Sequence, residues 1–209
     1  MRTHGFLKQQ LQILNQVAGH CDEDVDFVAM PMFVLFNLAN GVTSVIPACS
    51  MKHPARIDHC AVLRQLRQEH ATRMIASPAL LERLAENADP GVLPEMKCIS
   101  TGGGPVSPML GARLERIAPA AIVRVVYGST EAEPIACIDV ADVSPGSRDQ
   151  MQRGSGLLVG SPIDGCAVRI IPSRPGQVVP PCSREAFESL CMSATDGTAI
   201  GEIAVSYTH

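Results

Sequence analysis

Two loops rich in glycine and hydroxyl residues carry the side chains that could do chemistry in this chain of 209 residues. The first loop is Ser100-Thr101-Gly102-Gly103-Gly104-Pro105-Val106, and it follows a short apolar run. Glycines lack a Cβ, so a flat ring or a phosphate can approach the backbone closely and bind its N–H and C=O groups. A glycine run before a helix is also typical of a tight turn, so the first loop alone does not distinguish the two.

The second loop is Tyr127-Gly128-Ser129-Thr130-Glu131-Ala132-Glu133-Pro134-Ile135. It offers an aromatic face for stacking, hydroxyls for a phosphate oxygen, and a carboxylate suited to Mg²⁺, which prefers hard oxygen ligands. Structural explanations compete: Glu131 can stabilise a helix dipole, and Tyr127 can be a half-buried aromatic at a strand end. For each residue taken alone we favour the structural explanation. The presence of both loops, in this order, favours a binding site.

The surrounding pattern predicts an α/β fold, a mostly parallel sheet flanked by helices, because short apolar runs alternate with amphipathic stretches up to about residue 130. Predicted strands cover 27–30, 43–47, 72–76, 98–101 and 122–127. Predicted helices cover 6–17, 61–70 and 108–117, and a further helix starts at Pro78 with Ser77 as its cap. Both loops then follow strands, at the edge where open α/β sheets bind ligands.

A smaller β-rich lobe is predicted to follow the α/β part, which divides the chain into subdomains 1–140 and 141–209, the second of them partial. The runs 167–171 and 202–205 are interpreted as isolated strands. The segment 172–201 has weak periodicity and is predicted to be a long loop or an irregular hairpin.

Taken together, the two loops are similar to the adenine loop and the Tyr-Gly-x-Thr-Glu motif of the adenylate-forming (AMP-binding) superfamily: acyl- and aryl-CoA synthetases, luciferases and peptide-synthetase adenylation domains. The resemblance covers nearly the whole chain and marks it as an interior fragment of the large N-terminal domain. Thr-Gly-Gly-Gly-Pro-Val and Glu-Ala-Glu-Pro-Ile resemble the fatty-acid ligases and the olefin or β-lactone-forming branch. Further similar segments are Thr3-His4-Gly5, Pro31-Met32-Phe33, Gly160-x-Pro162-x-x-Gly165 and Gly201-Glu202-Ile203.

The resemblance implies roles for the motif residues. Four residues would line the adenine pocket with their backbone: Gly102, Gly103, Gly104 and Pro105. Tyr127 would pack on the purine, within a nucleotide-binding segment that includes Gly128 and Ser129. Thr130 would bond the α-phosphate and Glu131 would hold Mg²⁺, so these two are the predicted catalytic residues.

The resemblance also implies an acyl pocket along 33–41, with Phe33, Val34, Phe36 and Gly41 as its predicted residues. Many relatives place a histidine or a bulky aromatic where this chain has Val34. An apolar residue there suits a long or branched carboxylate, although Val34 as an ordinary core residue is the alternative.

The implied activity is that of an ATP-dependent ligase that converts a fatty acid-like carboxylate to acyl-AMP and then to an acyl-CoA thioester. ATP or AMP, Mg²⁺ and, in the full-length enzyme, CoA are the implied ligands. The family's phosphate loop with its lysine would lie just before Thr3, and its C-terminal domain with the catalytic lysine would follow His209. Without these groups the phosphate charge is not stabilised, so we expect this truncated polypeptide alone to be inactive.

Two other functions stay open. A non-catalytic module of the same fold could bind a nucleotide or a partner protein. A nucleophilic hydrolase could use Ser129 or Ser107, but Ser129 is not in a Gly-x-Ser-x-Gly elbow and no histidine lies between His70 and His209.

Composition narrows the remaining classes. The net charge is −4 and the 17 basic residues are scattered, which argues against a nucleic-acid partner. The apolar run 27–38 is too short and interrupted to span a bilayer of about 30 Å, and the first residues lack an apolar signal core. A cytoplasmic protein is therefore expected, with self-association through exposed apolar surface as a further expectation.

The eight cysteines lie far apart and include no Cys-x-x-Cys pair, so we interpret them as reduced thiols. The adjacent His59 and Cys60 have no second pair at ligand spacing, which gives a structural zinc site little support.

Overall fold

The computed structural model describes residues 3–50, 52–173, 176, 180, 182–192 and 201–207. Its strands are β1 (Val25–Val28), β2 (Thr43–Val45), β3 (Arg73–Ala76), β4 (Cys98–Gly102), β5 (Ile122–Tyr127), β6 (Ala136–Asp139), β7 (Ser161–Pro162), β8 (Cys166–Pro172) and β9 (Gly201–Tyr207). The first seven form one sheet with the order β2-β1-β3-β4-β5-β6-β7. Strands β1 to β5 are mutually parallel, and β6 and β7 are antiparallel to their neighbours.

Helices separate most of these strands along the chain, as a parallel sheet requires. They are α1 (His4–Ala18), α2 (Met32–Asn40), α3 (His59–Gln68), α4 (Pro78–Glu86), α5 (Pro108–Ile117), α6 (Pro145–Gln152) and α7 (Arg184–Leu190). Short 3-10 turns cover Pro54–Arg56 and Val140–Asp142. The predicted α/β fold is confirmed, and the helix predicted at 108–117 and the strand at 122–127 have the predicted bounds. Helix α2 was not predicted, because its segment was interpreted only as a substrate pocket.

The two faces of the sheet are covered by different helices, because neighbouring residues of a strand point to opposite sides. Phe27, Met74 and Ile99 belong to the larger core, which contains the buried leucines of α3, α4 and α5. Val28 packs instead with Phe33 and Phe36 of α2, and Leu14 of α1 lies against this second cluster. Each fully buried leucine or phenylalanine contributes about 1.5 to 3 kcal/mol relative to an exposed position.

A small antiparallel sheet of β8 and β9 confirms the predicted β-rich lobe. The two strands pair with each other from Cys166 opposite Tyr207 to Pro172 opposite Gly201, so they are not isolated. Strand β7 lies in the large sheet beside β6. The division of the chain at residue 140 stays a prediction.

Two local predictions were wrong. Helix α7 lies inside the segment predicted as a loop, and the Ser183 hydroxyl caps it by accepting from the Ala186 N–H. Residues 174–175, 177–179, 181 and 193–200 of that segment lie outside the described residues. Ser77 does stand before α4, with Pro78 at the first helical position, but its side chain makes no capping hydrogen bond.

The C-terminal end of α1 is fastened to the sheet by two arginines. Arg73 of β3 donates to the carbonyls of Ala18 and Gly19. Arg124 of β5 donates to the Val17 carbonyl and forms two bonds with the Asp139 carboxylate, at 2.6 and 2.8 Å. The last carbonyls of a helix lack partners within it and attract cations, so this arginine clasp satisfies them and fixes the helix.

None of the described helices is long and apolar enough to cross a lipid bilayer.

Replacing Arg124 with methionine should lower the free energy of unfolding by about 1.5 to 3 kcal/mol, because the Val17 carbonyl and the Asp139 carboxylate lose their charged donor. Urea denaturation followed by circular dichroism measures the change. Arg153→Met is the matched control, since its ion pair with Asp149 is exposed and the expected loss is below about 1 kcal/mol. Equal losses in the two variants would contradict the clasp.

Candidate functional site

The two chemically equipped loops lie side by side, as predicted. Gly102, the last residue of β4, is in register with Val126 of the parallel strand β5, so both strands end at the same edge of the sheet. The first loop leaves β4 at Gly103 and the second leaves β5 at Gly128.

The backbone of the first loop depends on its glycines. A Cβ on Gly102 would lie 2.2 Å from the Val126 carbonyl oxygen, and Gly103 has a φ of 73°, which disfavours other residues. Residues 103–105 are exposed. The loop ends at Ser107, whose hydroxyl accepts from the Leu110 N–H at 3.1 Å and starts α5. The loop therefore presents bare backbone to the solvent.

The second loop is a closed turn and not the start of a helix. The N–H of Ser129 donates to the Ala132 carbonyl at 2.8 Å, and the Ala132 N–H donates back to the Ser129 carbonyl at 3.1 Å. Strand β6 follows, so the carboxylate of Glu131 does not stand at a helix N-terminus and the helix-dipole explanation is wrong. Ser129, Thr130 and Glu131 are exposed at the tip, and Tyr127 is half-buried at the strand end.

The space between the loops is a cavity of about 500 Å³, called here the outer cleft. Five of the predicted nucleotide-binding residues line it: Gly103, Gly104, Pro105, Tyr127 and Gly128. Ser129, Thr130 and Glu131 are not part of this lining. Residues 157–159 also line the outer cleft, and they were not predicted from the sequence. Leu157 and Leu158 keep 40% and 43% of their surface exposed, and their only signal in the sequence is an apolar triplet after Gly154-Ser155-Gly156.

A second cavity, called here the inner cavity, lies between the sheet and helices α1 and α2 and holds about 50 Å³. Phe33 and Phe36, two of the predicted substrate-pocket residues, line it. Val34 is half-buried and packs against the same cluster. Gly41 is not among the residues that line the inner cavity. It ends α2, with a φ of 70°.

The inner cavity has an apolar middle and two different ends. Leu14, Val17 and Ile75 lie along the middle, and Gly102, Val126 and Glu133 of the second loop lie at the end nearest the loops. The other end is polar and was missed by the sequence reasoning. Its residues are His20, Asp26, Asn37 and Arg73. The aspartate within the apolar run that forms β1 was the available signal.

The polar end is a buried hydrogen-bonded group. The Asn37 amide nitrogen donates to the Asp26 carboxylate at 2.9 Å and to the Ser44 hydroxyl at 3.1 Å. His20 Nε2 lies 3.9 Å from the same carboxylate. Burial raises the pKa of Asp26 above its ordinary value. Burial, and then the Arg73 charge, lowers the pKa of His20. The ring of His20 therefore stays neutral to a lower pH than a free imidazole.

The hydrolase alternative gains no support from the two serines. The hydroxyls of Ser107 and Ser129 each accept a local backbone N–H, from Leu110 and Ala132. Asp58, His59 and Cys60 could offer three ligand atoms within 4.8 Å of one another. One oxygen of the Asp58 carboxylate, Oδ1, also accepts from two backbone N–H groups at the start of α3. All eight cysteines are free thiols.

Comparison with known proteins gives one family and two close relatives. The family model described as AMP-binding enzyme matches residues 3–206. Olefin beta-lactone synthetases of Stenotrophomonas maltophilia and Xanthomonas campestris are 32% and 31% identical over 169 residues. Each alignment covers 80% of this chain but 30% of the relative, so the chain spans under a third of their length.

Solved structures agree on the fold. O-succinylbenzoate coenzyme A synthetase from Bacillus subtilis in complex with AMP has a TM-score of 0.65 and 22% identity over 99% of this chain and 37% of its own. The luciferase-like enzyme of the mealworm Zophobas morio has a TM-score of 0.62 and 17% identity, over 96% of this chain and 43% of its own. At these identities the likeness establishes the fold alone.

Stability should fall as the pH decreases below 6.5, and His20 should cause part of the fall. The pKa of His20 is lower in the folded protein than its ordinary value of 6.5. The unfolded chain therefore binds the proton more readily, and acid favours unfolding. Unfolding free energies from urea titrations between pH 5 and pH 8 should decline less steeply for His20→Gln than for the wild type. His70→Gln, with a histidine side chain 81% exposed, is the control and should follow the wild type. Parallel wild-type and His20→Gln curves would refute the assignment.

Proposed function

Because this chain belongs to the AMP-binding enzyme family, we propose that it forms part of a site that joins a carboxylic acid to ATP, giving an acyl adenylate and pyrophosphate. One observation carries the proposal: the outer cleft and the inner cavity are neighbours at the ends of β4 and β5, where they share a lining residue. Val126 lines both spaces, and Gly102 of the inner cavity is followed directly by Gly103 of the outer cleft. Two substrates held in these spaces would react at that junction.

The outer cleft is the proposed nucleotide site. Its volume is within the range of small-molecule pockets. Tyr127 offers a half-buried ring for the purine, and the exposed backbone of Gly103 and Gly104 offers hydrogen-bonding groups at its edge. Leu157 and Leu158 add apolar surface to the same lining.

Thr130 and Glu131 fit the proposed phosphate and metal contacts. Both side chains are exposed at the tip of the second loop, beside the outer cleft. A carboxylate and a hydroxyl are hard oxygen donors of the kind that Mg²⁺ and phosphate require. Bound Mg²⁺ would offset the negative charge on the phosphates while the carboxylate replaces pyrophosphate at the α-phosphate. The chain's own contribution is to place one carboxylate and one hydroxyl on a turn closed by the Ser129 and Ala132 hydrogen bonds.

The inner cavity is the proposed site for the acid. The carboxylate would lie at Gly102 and Val126, where it can reach the nucleotide, and the hydrocarbon part would contact Phe33 and Phe36. Holding both reactants in fixed neighbouring sites removes much of the entropic barrier to their reaction.

The acyl acceptor has two candidates. Transfer to CoA would give a thioester, which is the first proposal. The two relatives named olefin beta-lactone synthetases favour a second. In a β-lactone the acyl carbon is bonded to an oxygen on the substrate's own third carbon. A 3-hydroxy acid would therefore displace AMP with its own hydroxyl, and no CoA would be used.

Exposed apolar side chains support self-association as a further proposal. Leu35 and Leu38 on the outer side of α2 keep 71% and 75% of their surface exposed, and Ile46 keeps 56%.

Removal of the Glu131 charge should weaken Mg²⁺-dependent ATP binding by about tenfold, because one charged metal ligand is lost. Isothermal titration of ATP and AMP, with and without Mg²⁺, compares the wild type with Glu131→Gln. Glu69→Gln removes an exposed carboxylate at the end of α3 and should leave binding unchanged. A full Mg²⁺ effect in Glu131→Gln would reject the metal role, and absence of any nucleotide binding to the wild type would reject the proposed function.

The 209-residue polypeptide should bind nucleotide without exchanging pyrophosphate into ATP. The described lining of the outer cleft contains no charged side chain, so nothing in it neutralises a triphosphate. Lys97 is the residue just before β4, so it lies at the end of that strand remote from the loops. Its ammonium group is bound to the Asp24 carboxylate at 3.1 Å. An exchange assay with a panel of fatty acids and 3-hydroxy acids, each with and without CoA, tests this expectation, and clear turnover would disprove it.

A further inference from the structure

Three adjacent side chains at the start of helix α3 converge on one point. Asp58, His59 and Cys60 each offer one metal-ligand atom, and these three atoms lie within 4.8 Å of one another. His59 Nε2 and Cys60 Sγ are 3.5 Å apart. A tetrahedral zinc ion, with bonds of about 2.0 Å to nitrogen and about 2.3 Å to sulfur, holds two such ligands about 3.5 Å apart. The histidine and the cysteine therefore have the separation of two ligands of one ion.

Proximity in the sequence alone does not produce this convergence. The segment His20-Cys21-Asp22 contains the same three residue types side by side. There the His20 ring is turned into the protein, with Nε2 3.9 Å from the buried Asp26 carboxylate, whereas Cys21 is exposed. Within the described part of the chain, only the group at the start of α3 brings three such ligand atoms together.

The Asp58 carboxylate can cap the helix and bind a metal ion at the same time. Its Oδ1 atom accepts from the N–H groups of Cys60 at 3.0 Å and Ala61 at 3.3 Å. Among the described residues, Oδ2 accepts no hydrogen bond, so it is available to a cation. Carboxylates that bind metal ions are commonly oriented by hydrogen bonds of this kind. The capping bonds therefore hold the carboxylate beside His59 and Cys60.

The donor atoms indicate which cations would bind. A thiolate sulfur is a soft ligand, and thiolate and imidazole together suit Zn²⁺ and related transition metals. Mg²⁺ and Ca²⁺ require several oxygen ligands, and this group supplies only one carboxylate. The Cys60 thiolate and the Asp58 carboxylate together cancel the two charges of a divalent ion. An occupied site therefore adds no net charge beside Arg64, which lines the neighbouring cleft.

The group is open to solvent on one side. Asp58 and Cys60 are exposed and His59 is half-buried. His59 and Cys60 line a cleft of about 410 Å³ that also contains Arg64 and Arg67. Three protein ligands leave a fourth tetrahedral position free, as in catalytic zinc sites. A water molecule or a small anion in the cleft can take that position.

We infer that Asp58, His59 and Cys60 form a binding site for one thiophilic divalent cation such as Zn²⁺, with a fourth position open to this cleft. On binding, a sulfur–metal bond replaces the S–H bond of Cys60, and the proton passes to the solvent. None of the three residues is in the described lining of the outer cleft or the inner cavity. The inference is therefore independent of the proposed function.

Cobalt(II) is the probe that tests the inference, because tetrahedral Co²⁺ absorbs visible light and a thiolate bond to it adds a near-ultraviolet band. Titration of the 209-residue chain, kept reduced with a phosphine, should produce both absorptions. Zn²⁺ is colourless and should remove both by displacing the cobalt, whereas Mg²⁺ should remove neither. Absence of the thiolate band in the wild type would overturn the inference.

Three variants locate the ligands, and all three changed side chains are exposed, so the core is not altered. Cys60→Ser should abolish the thiolate band and weaken Zn²⁺ binding, measured by competition with a chromophoric chelator, by at least about tenfold. Asp58→Asn keeps a good helix cap and should retain the band but lower the Zn²⁺ affinity by about tenfold. Cys21→Ser is the matched control and should behave like the wild type.

Two results in the variants would also overturn the site. A band that persists in Cys60→Ser, or that disappears equally in Cys21→Ser, would place the thiolate elsewhere. Unchanged Zn²⁺ affinity in Asp58→Asn would remove the third ligand.

Discussion

The arginine clasp at the end of α1 is the interaction on which the candidate site depends. Arg73 and Arg124 come from two strands of the sheet and donate to three successive carbonyls, those of Val17, Ala18 and Gly19. A partly buried guanidinium is costly unless its donors are satisfied, and here carbonyls and the Asp139 carboxylate satisfy them. The same helix is tied at its middle, where the Gln10 amide donates to the Glu133 carbonyl of the second loop at 2.9 Å. These hydrogen bonds hold α1 in place, so the helix covers the inner cavity and keeps the second loop in position.

Because β4 and β5 are parallel and in register, the candidate site has two compartments, the inner cavity and the outer cleft. Both strands end at one edge, so the loops that follow them face each other across the outer cleft. Gly102 at the end of β4 lines the inner cavity, and the next residue, Gly103, lines the outer cleft. Asp26 of β1 and Arg73 of β3 stand earlier in their strands and face α1 and α2, so the end of the inner cavity remote from the loops is polar.

Much of the fold could be predicted from the sequence because β3, β4, β5 and α5 have clear periodicity and clear terminators, such as Ser77-Pro78 and Ser107-Pro108. Helix α2 was hidden because its sequence, MFVLFNLAN, is apolar on almost every side and shows no amphipathic period. Helix α7 is only seven residues long, too short for a periodic signal. The two loops and the phenylalanines of α2 were identified through their motifs. Asn37 and Leu157 to Val159 were not, because they join the site only through tertiary packing.

Strand β7 forms one edge of the large sheet and leaves little backbone there for another strand to pair with. It is two residues long, and its second residue, Pro162, has no backbone N–H to offer another strand. At the opposite border β2 has three residues. Short borders, one of them closed by proline, hinder the addition of strands from other molecules and so protect the sheet against edge-to-edge aggregation. The self-association proposed through the exposed leucines of α2 would use side chains and not strand edges, a kind of contact that can dissociate without unravelling the sheet.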